Sequence, residues 1–320
     1  MNAPETRNPA GGRGFAETLQ AGADSRTANI TGFADAMRSA GLVPPGAIEP
    51  GELHRFPGAG KRPGNRAGWC KLFSDLRGGC YGDWSTGLTG TWQARRERPF
   101  SPAERAAFAR QAAEAREAAA AELIAKHAEA ANRAALIWDK AQAAPAGHPY
   151  LIAKRVQPHG ARIHGDALVL PVAAFTGELV SLQFIGPDGT KRLLAGGQKR
   201  ECFIPVAGDM ACPQRVVLAE GWATGATLAE DEPGALVLAA IDAGNLEPVA
   251  LAARNRWPSA VLVIAGDDDR QTAGNPGATK ARAAAIAAGA LLALPQWPEG
   301  APASLTDFND LAAWLAGGAA

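Results

Sequence analysis

Cysteine is scarce: four are scattered over 320 residues, and no two stand as Cys-x-x-Cys. That excludes a disulfide-stapled fold and the usual ligand pair of a zinc ribbon. The five histidines (54, 127, 148, 159, 164) show no metal-ligand spacing, and His148 and His159, beside prolines, are expected in solvated loops. No uncharged apolar run reaches the ~18 residues of a membrane span. The N-terminus MNAPETRNPAGGRG has no apolar signal core, so a cytoplasmic location is expected. Net charge is also missing, with 32 basic residues against 32 acidic. A protein that grips phosphates normally carries a basic footprint, and the whole chain shows none. GAGKR at 58–62 is not a phosphate loop, because Arg55 stands where its first Gly is required and Arg62 replaces Ser or Thr.

What is present changes character along the chain. Residues 1–26, rich in Gly, Ala, Arg and Pro, read as a disordered tail. A short helix is expected over Ile30 to Ala40, with Phe33 and Met37 one turn apart and Gly41 as its stop. Within 27–98, short aromatic runs punctuated by glycine (GWCKLF, GGCYGDW, GLTGTW) predict a small β-rich module of zinc-ribbon type without zinc ligands. Its core would come from Phe56, Trp69, Phe73, Trp84 and Trp92. Over 101–143, Ser101, Pro102 and Glu104 spell a capping box ahead of a long helix poor in large apolar groups. Such a helix is mostly solvent-facing and bridges modules. Residues 145–210 read as a small α+β subdomain with strands over a TG turn and a PDG turn. From 211 to 320, apolar strands alternate with helices, the pattern of an α/β fold with a parallel sheet covered by helices on both faces.

Ligands of open parallel sheets bind outside the carboxyl ends of the strands. There RVVLAE ends at Glu220-Gly221, AVLVIAG runs into Asp267, Asp268 and Asp269, and TDFNDL supplies Asp307, Asn309 and Asp310. Gathered carboxylates resist ionising unless a cation offsets them, and hard oxygen ligands without His or Cys suit Mg²⁺, for which Mn²⁺ can substitute. Asp267 and Asp269 can approach one ion, while the middle residue, Asp268, is expected to point away. Glu220 completes the site or works as a general acid or base. This chemistry fits phosphoryl transfer. Lys154, Arg155, Arg162, Lys191, Arg192, Lys199 and Arg200 give the 148–210 subdomain a basic side suited to nucleic-acid or nucleotide phosphates, with Arg270, Lys280 and Arg282 as further candidates.

VVLAEGWATGATLA followed by VLVIAGDDD resembles the TOPRIM domain, shared by bacterial-type primases, type IA and type II topoisomerases and some nucleases. EGWATGATL, the GNL of AGNLEP, AGDDDR…GNPGATKA and TDFNDLAAW are similar to the phage- and plasmid-borne primase branch. HPYLIAKRV…LVLPV…GELVSLQFIGPDGTKRLLAGG resembles the subdomain that precedes TOPRIM in a primase core. The resemblance covers roughly 145–320. It implies Glu220, Asp267 and Asp269 as catalytic and Mg²⁺-binding residues, with Asp307 and Asp310 as a third acidic motif of altered spacing. Thr224 stands where replicative primases commonly carry Asp. The implied activity is synthesis of short RNA primers on single-stranded DNA from ribonucleoside triphosphates, for a phage, plasmid or integrative element. A replicative helicase would act in trans, and no membrane or zinc is involved. A TOPRIM nuclease, or a non-catalytic factor binding single strands or helicase, would reuse the same fold. A topoisomerase needs a nucleophilic Tyr, and Tyr81 and Tyr150 stand in no such context. In this reading the neutral total is a cancellation between an acidic cleft and basic residues in 148–210 and QARRERP.

Overall fold

A computed structural model describes residues 13–95 and 98–317, and the chain divides into two compact units, 1–123 and 124–320. In the first unit, helix α1 (Arg13–Ser39) is followed by strands β1 (His54–Phe56), β2 (Gly68–Leu72), β3 (Gly78–Asp83) and β4 (Leu88–Gln93), which pair antiparallel in sequence order. The expected helix is therefore longer than Ile30 to Ala40. Residues 13–26, read as part of a loose tail, are helical, because this stretch carries Ala, Glu, Leu and Gln and no proline. Residues 1–12 of that tail, and Arg96 and Glu97 of QARRERP, lie outside the described residues. Phe33 and Met37 are fully buried against the sheet, and Gly41 follows the helix with φ +80°. Gly79 is required by this packing, since a Cβ there would lie 2.7 Å from the Phe33 ring.

Phe56, Trp69 and Phe73 are buried as expected, whereas Trp84 and Trp92 are only partly so. Trp84 carries the Arg55 guanidinium on its face at 3.6 Å, and Arg55 also pairs with Glu122 at 3.0 Å. The two cysteines of the module serve packing: burial pushes the Cys70 thiol up to about 12 and raises that of Cys80. Such thiols are protonated and inert. Helix α2 (Pro102–Lys140) begins in this unit with the capping box intact. Ser101 Oγ accepts from the Glu104 N–H at 3.2 Å, and Glu104 Oε2 accepts from the Ser101 N–H at 2.9 Å. Its buried positions are alanines: Ala112, Ala115 and Ala119 in the first unit, Ala130 and Ala134 in the second.

The second unit holds two sheets. β5 (Gln142–Ala143), β6 (Arg162–His164), β7 (Ala167–Ala173), β8 (Leu179–Ile185) and β9 (Lys191–Leu193) form an antiparallel sheet, with helix α3 (Pro149–Lys154) between β5 and β6. β10 (Ile204–Ala207), β11 (Arg215–Ala219), β12 (Leu236–Ala239), β13 (Val261–Ala265) and β14 (Leu291–Ala293) form the other, in the order β10-β12-β11-β13-β14. Four strands of this sheet are parallel, and β10 is its antiparallel edge. Helices α4 (Trp222–Asp231), α5 (Ala243–Arg256) and α6 (Pro276–Ala288) follow β11, β12 and β13, and α7 (Phe308–Gly317) closes the described chain.

Strand alternation sorts the core. Val217, Val237, Ala239 and Val263 face α4 and the antiparallel sheet, while Val216, Leu218, Leu238 and Ile264 face α5 and α6. The parallel α/β reading holds. β10, within the 145–210 stretch, pairs with β12 of the parallel sheet, while Ala173 and Phe203 exchange backbone hydrogen bonds of 2.8 and 3.0 Å. One apolar cluster runs from Leu168, Leu170 and Val172 to Val217 and Trp222, so 145–210 and 211–320 share a core. His148 is also corrected. It is 4% exposed and caps α3, accepting at Nδ1 from the Tyr150 N–H and placing Nε2 3.0 Å from the Asp166 carbonyl. His159 is half-buried against Glu230 at 2.8 Å and edge-on to Trp222.

Gly266, after β13, lets α6 approach: a Cβ would stand 2.4 Å from that of Ala281 and 3.0 Å from the Leu294 side chain. Overpacking of this kind costs about 1–3 kcal/mol. Gly266→Ala is expected to lower the urea midpoint of the protein accordingly, whereas Gly147→Ala, where no heavy atom lies within 4 Å, leaves it within about 0.5 kcal/mol.

Candidate active site

The strand order places the site. The chain leaves β11 for β12 on one side and returns past β11 to β13 on the other, so the winding reverses between β11 and β13. Crevices form at such switch points. In the register of this pair Ala219 stands opposite Ala265, so Glu220 and Gly266-Asp267 leave the sheet side by side. Two of the acidic motifs meet because two parallel strands end together.

Asp267 is the most perturbed group. Burial, then the charges of Glu220, Asp307 and Asp269, push its carboxyl up to about 8, with Lys191 opposing. Among the described residues its Oδ1 is buried without a hydrogen-bond partner. Glu220 is also raised, chiefly by burial and further by Asp242 and Asp269. The Ala243 N–H at the start of α5 hydrogen-bonds its carboxylate, and this bond and Lys280 act in the opposite sense. Asp269 is fixed as an acceptor: its Oδ2 takes the Gly277 N–H at 2.9 Å near the start of α6, and its own N–H donates to Asn275 Oδ1 at 2.9 Å. Asp307 accepts from Thr224 Oγ1 at 3.1 Å and from the Asp310 N–H at 2.7 Å. Thr224 thus supplies a neutral donor to Asp307, where an aspartate would add another like charge.

Other expected residues are placed differently. Asp268 points away, held by Asn275 Nδ2 at 2.6 Å and Trp297 Nε1 at 2.8 Å. Asp310 accepts from the Thr306 N–H at 3.0 Å and lies 3.7 Å from Lys154. Arg270 is occupied within the fold: it stacks over Trp297 at 4.5 Å and donates to the carbonyls of Pro302 and Leu305. Arg155 donates to the Ala313 carbonyl, Arg162 lies over Trp138, and Arg200 is 3.7 Å from Glu201. Arg192 stands exposed on β9. Lys191 belongs to the acidic edge. Its Nζ lies 3.8 Å from where a Cβ on Gly221 would stand. Surrounding protein and then Lys154 lower its pKa, against the pull of Asp307, Asp267 and Glu220.

Two residues not expected at the site shape this edge, Asp242 and Asn245, the latter the Asn of the GNL noted in the sequence. Asp242, after β12, starts α5 without capping it and pairs with Lys199 at 2.6 Å. Between it and the strand, Ile241 adopts φ +78°, a conformation that costs a β-branched residue on the order of 1–3 kcal/mol. That turn brings the Ala243 N–H to Glu220. The fully buried Asn245 secures it by donating to the Ala240 carbonyl at 3.0 Å. A proline, glycine or charge signal would have marked such a turn in the sequence, and Ile-Asp-Ala has none.

The donor set fits a hard divalent cation. A desolvated carboxylate oxygen without a partner, beside two further carboxylates, is an arrangement that a cation relieves. Among the described residues no three His, Cys, Asp or Glu side chains already form a closed cage. Mg²⁺ commonly takes one or two carboxylates and completes its shell with water and substrate phosphates.

The family described as the Toprim domain matches residues 215–318. Two relatives from Escherichia coli are each named DNA primase TraC. One is 35% identical over 282 residues, covering 84% of this chain and 26% of the relative. The other is 34% identical over 314 residues, covering 88% of this chain and 20% of the relative. The chain thus spans about a quarter or less of their length. The primase fragment of the bacteriophage T7 primase-helicase protein aligns with TM-score 0.38 at 16% identity, over 52% of this chain and 69% of that one.

The raised carboxyl of Asp267 makes a signed prediction. Its folded pKa, about 8, lies above the ordinary 3.8, so the native state binds more protons than the unfolded state between these values. Stability is then present at acid pH and falls as pH rises through that window. Without divalent cations, the melting temperature is expected to drop between about pH 5 and pH 8. Asp267→Asn should flatten that slope, and Mg²⁺ should restore the wild type at pH 8 but not the variant. Differential scanning fluorimetry across pH reads this directly, and identical slopes in both proteins would contradict it.

Proposed function

We propose that this chain carries the catalytic centre of a DNA primase of mobile-element type, which joins ribonucleotides on a single-stranded DNA template. The observation that carries the reading is the buried, unpartnered Asp267 carboxylate at the sheet's switch point, among Glu220, Asp269 and Asp307. The similarity to the two DNA primases supports the same reading.

Asp267, Asp269 and Glu220 would hold Mg²⁺, with Mn²⁺ as a substitute, and Asp307 adds negative charge beside them. The cation supplies charge neutralisation at the transferring phosphoryl group and the attacking hydroxyl. The protein's own groups do the remaining work. Glu220, held by the Ala243 N–H and with a raised pKa, is suited to taking a proton from the attacking 3′-hydroxyl. Lys191 and Lys154 face the acids from the antiparallel sheet and α3, where they oppose the charge of a triphosphate and of departing pyrophosphate. Lys280, in electrostatic reach of Glu220, adds to this field from α6. Basic positions on 154–155, 191–192 and 199–200 contact template or nucleotide phosphates, and strand separation belongs to a helicase on another chain. Among the described residues no helix is long and apolar enough to cross a membrane.

The test incubates the full chain with single-stranded DNA, labelled ribonucleotides and Mg²⁺ or Mn²⁺. Primer-length RNA is expected from the wild type. Glu220→Gln and Asp267→Asn should each reduce it by about a hundredfold or more, the scale of losing a positioned acid–base or electrostatic group. Degraded template in place of RNA would replace this reading with a Toprim nuclease.

A further inference from the structure

The loop between β9 and β10 carries Lys199 and Arg200, yet nothing in its composition makes it rigid: it opens with Ala195, Gly196 and Gly197. Besides its own backbone bonds, from the Gly197 N–H to Leu194 and from the Cys202 N–H to Lys199, each 3.0 Å, it is held from outside. Asn245, on the first turn of α5 and 1% exposed, shares the two N–H donors of Nδ2 among three surrounding carbonyls, those of Lys199 at 2.9 Å, Cys202 at 2.8 Å and Ala240 at 3.0 Å. Its Oδ1 accepts from the Glu201 N–H at 3.0 Å. One buried amide therefore ties the loop to the end of β12. On both sides it grips non-glycine residues in the left-handed region, Glu201 at φ +61° and, next to Ala240, Ile241 at φ +78°. Such backbones persist only where the surroundings over-determine them.

The clamped loop presents its cation to the acidic edge. Lys199 meets Asp242 at 2.6 Å, with side chains 32% and 48% exposed. Asp242 makes no capping bond of its own, and its charge is felt at Glu220. A half-exposed ion pair is weak and exchangeable, so a phosphate can take Lys199 from Asp242 with the loop already in place. A fully buried residue that bonds four backbone groups on two segments and touches no solvent acts through what it holds.

We propose that Asn245 is a positioning residue that fixes the β9–β10 loop so that Lys199 meets a phosphate at the edge carrying Glu220. This rests on the phosphoryl-transfer reading of that edge. The phosphate belongs either to the template backbone or to an incoming triphosphate, and two binding measurements separate these sources.

The experiment uses the full chain with Asn245→Ala, Asn245→Asp, Lys199→Met and Asn245→Ala/Lys199→Met. Asn245→Asp keeps the acceptor for Glu201 but sets a buried carboxyl against three carbonyl oxygens, so Lys199→Met, at a side chain 32% exposed, decides the phosphate contact if the Asn245 variants do not fold. With the exposed Cys212 replaced by Ser in every protein, maleimide labelling of Cys202, now 1% exposed, reads the clamp. Release of the loop should speed its modification by about tenfold or more through local opening, with the melting transition retained. Anisotropy of a fluorescein-labelled oligodeoxythymidylate reads the template, and KM for ribonucleotides in primer synthesis reads the triphosphate. One of the two is expected to worsen by about five- to tenfold in each single variant, with kcat changing less. The double variant should be no worse than the poorer single, because residues acting through one contact are non-additive. Cys202 remaining protected in both Asn245 variants, or losses that multiply in the double variant, would overturn the proposal. If the wild type makes no primers, the function reading fails, while the labelling and oligonucleotide arms still decide the clamp.

Discussion

Burying one carboxylate beside others costs free energy that hydrogen bonds in this structure only partly offset, and the architecture of the second unit is arranged around that cost. Asp269 receives the Gly277 N–H, Glu220 the Ala243 N–H, and Asp307 the Thr224 hydroxyl and the Asp310 N–H. Of these four carboxylates, Asp267 keeps a buried oxygen without a partner among the described residues. An uncompensated buried polar group is expensive, and a cation at this edge would relieve it. The starts of α5 and α6, both aimed at this edge, add partial positive charge of the same sense.

The cations complete the arrangement. Lys191 comes from β9 of the antiparallel sheet and sits against Gly221, so the two sheets of the unit meet with opposite charge. The shared apolar cluster and the β10 crossover make that meeting rigid. The equality of 32 basic and 32 acidic residues is a total over the whole chain and hides the opposite charges that meet at this edge. It does not describe a protein indifferent to phosphate.

Much of this was legible in the sequence where the governing interactions are local. Apolar strands bounded by Glu-Gly and Gly-Asp identified the parallel sheet, and the capping box of α2 was readable letter by letter. Elements defined by distant partners were not. β10 is four residues long and exists because β12 accepts it, and β5 and β6 have only two and three residues. Basic residues were the least legible group: Arg270 looks like a phosphate contact, yet besides Asp268 its partners are Trp297 and two carbonyls more than thirty residues away. Asn245 carries no charge and sits where a helix start would explain it. Only the structure shows its bonds to Lys199, Glu201 and Cys202.

The central claim is that Asp267 and its neighbours form the seat of a divalent cation. Anomalous diffraction from crystals soaked in Mn²⁺ tests it most directly. The account predicts an anomalous peak in coordinating contact with Asp267 and with Asp269 or Glu220, lost in Asp267→Asn crystals. Manganese bound only elsewhere, with Asp267 still unpartnered, would contradict it.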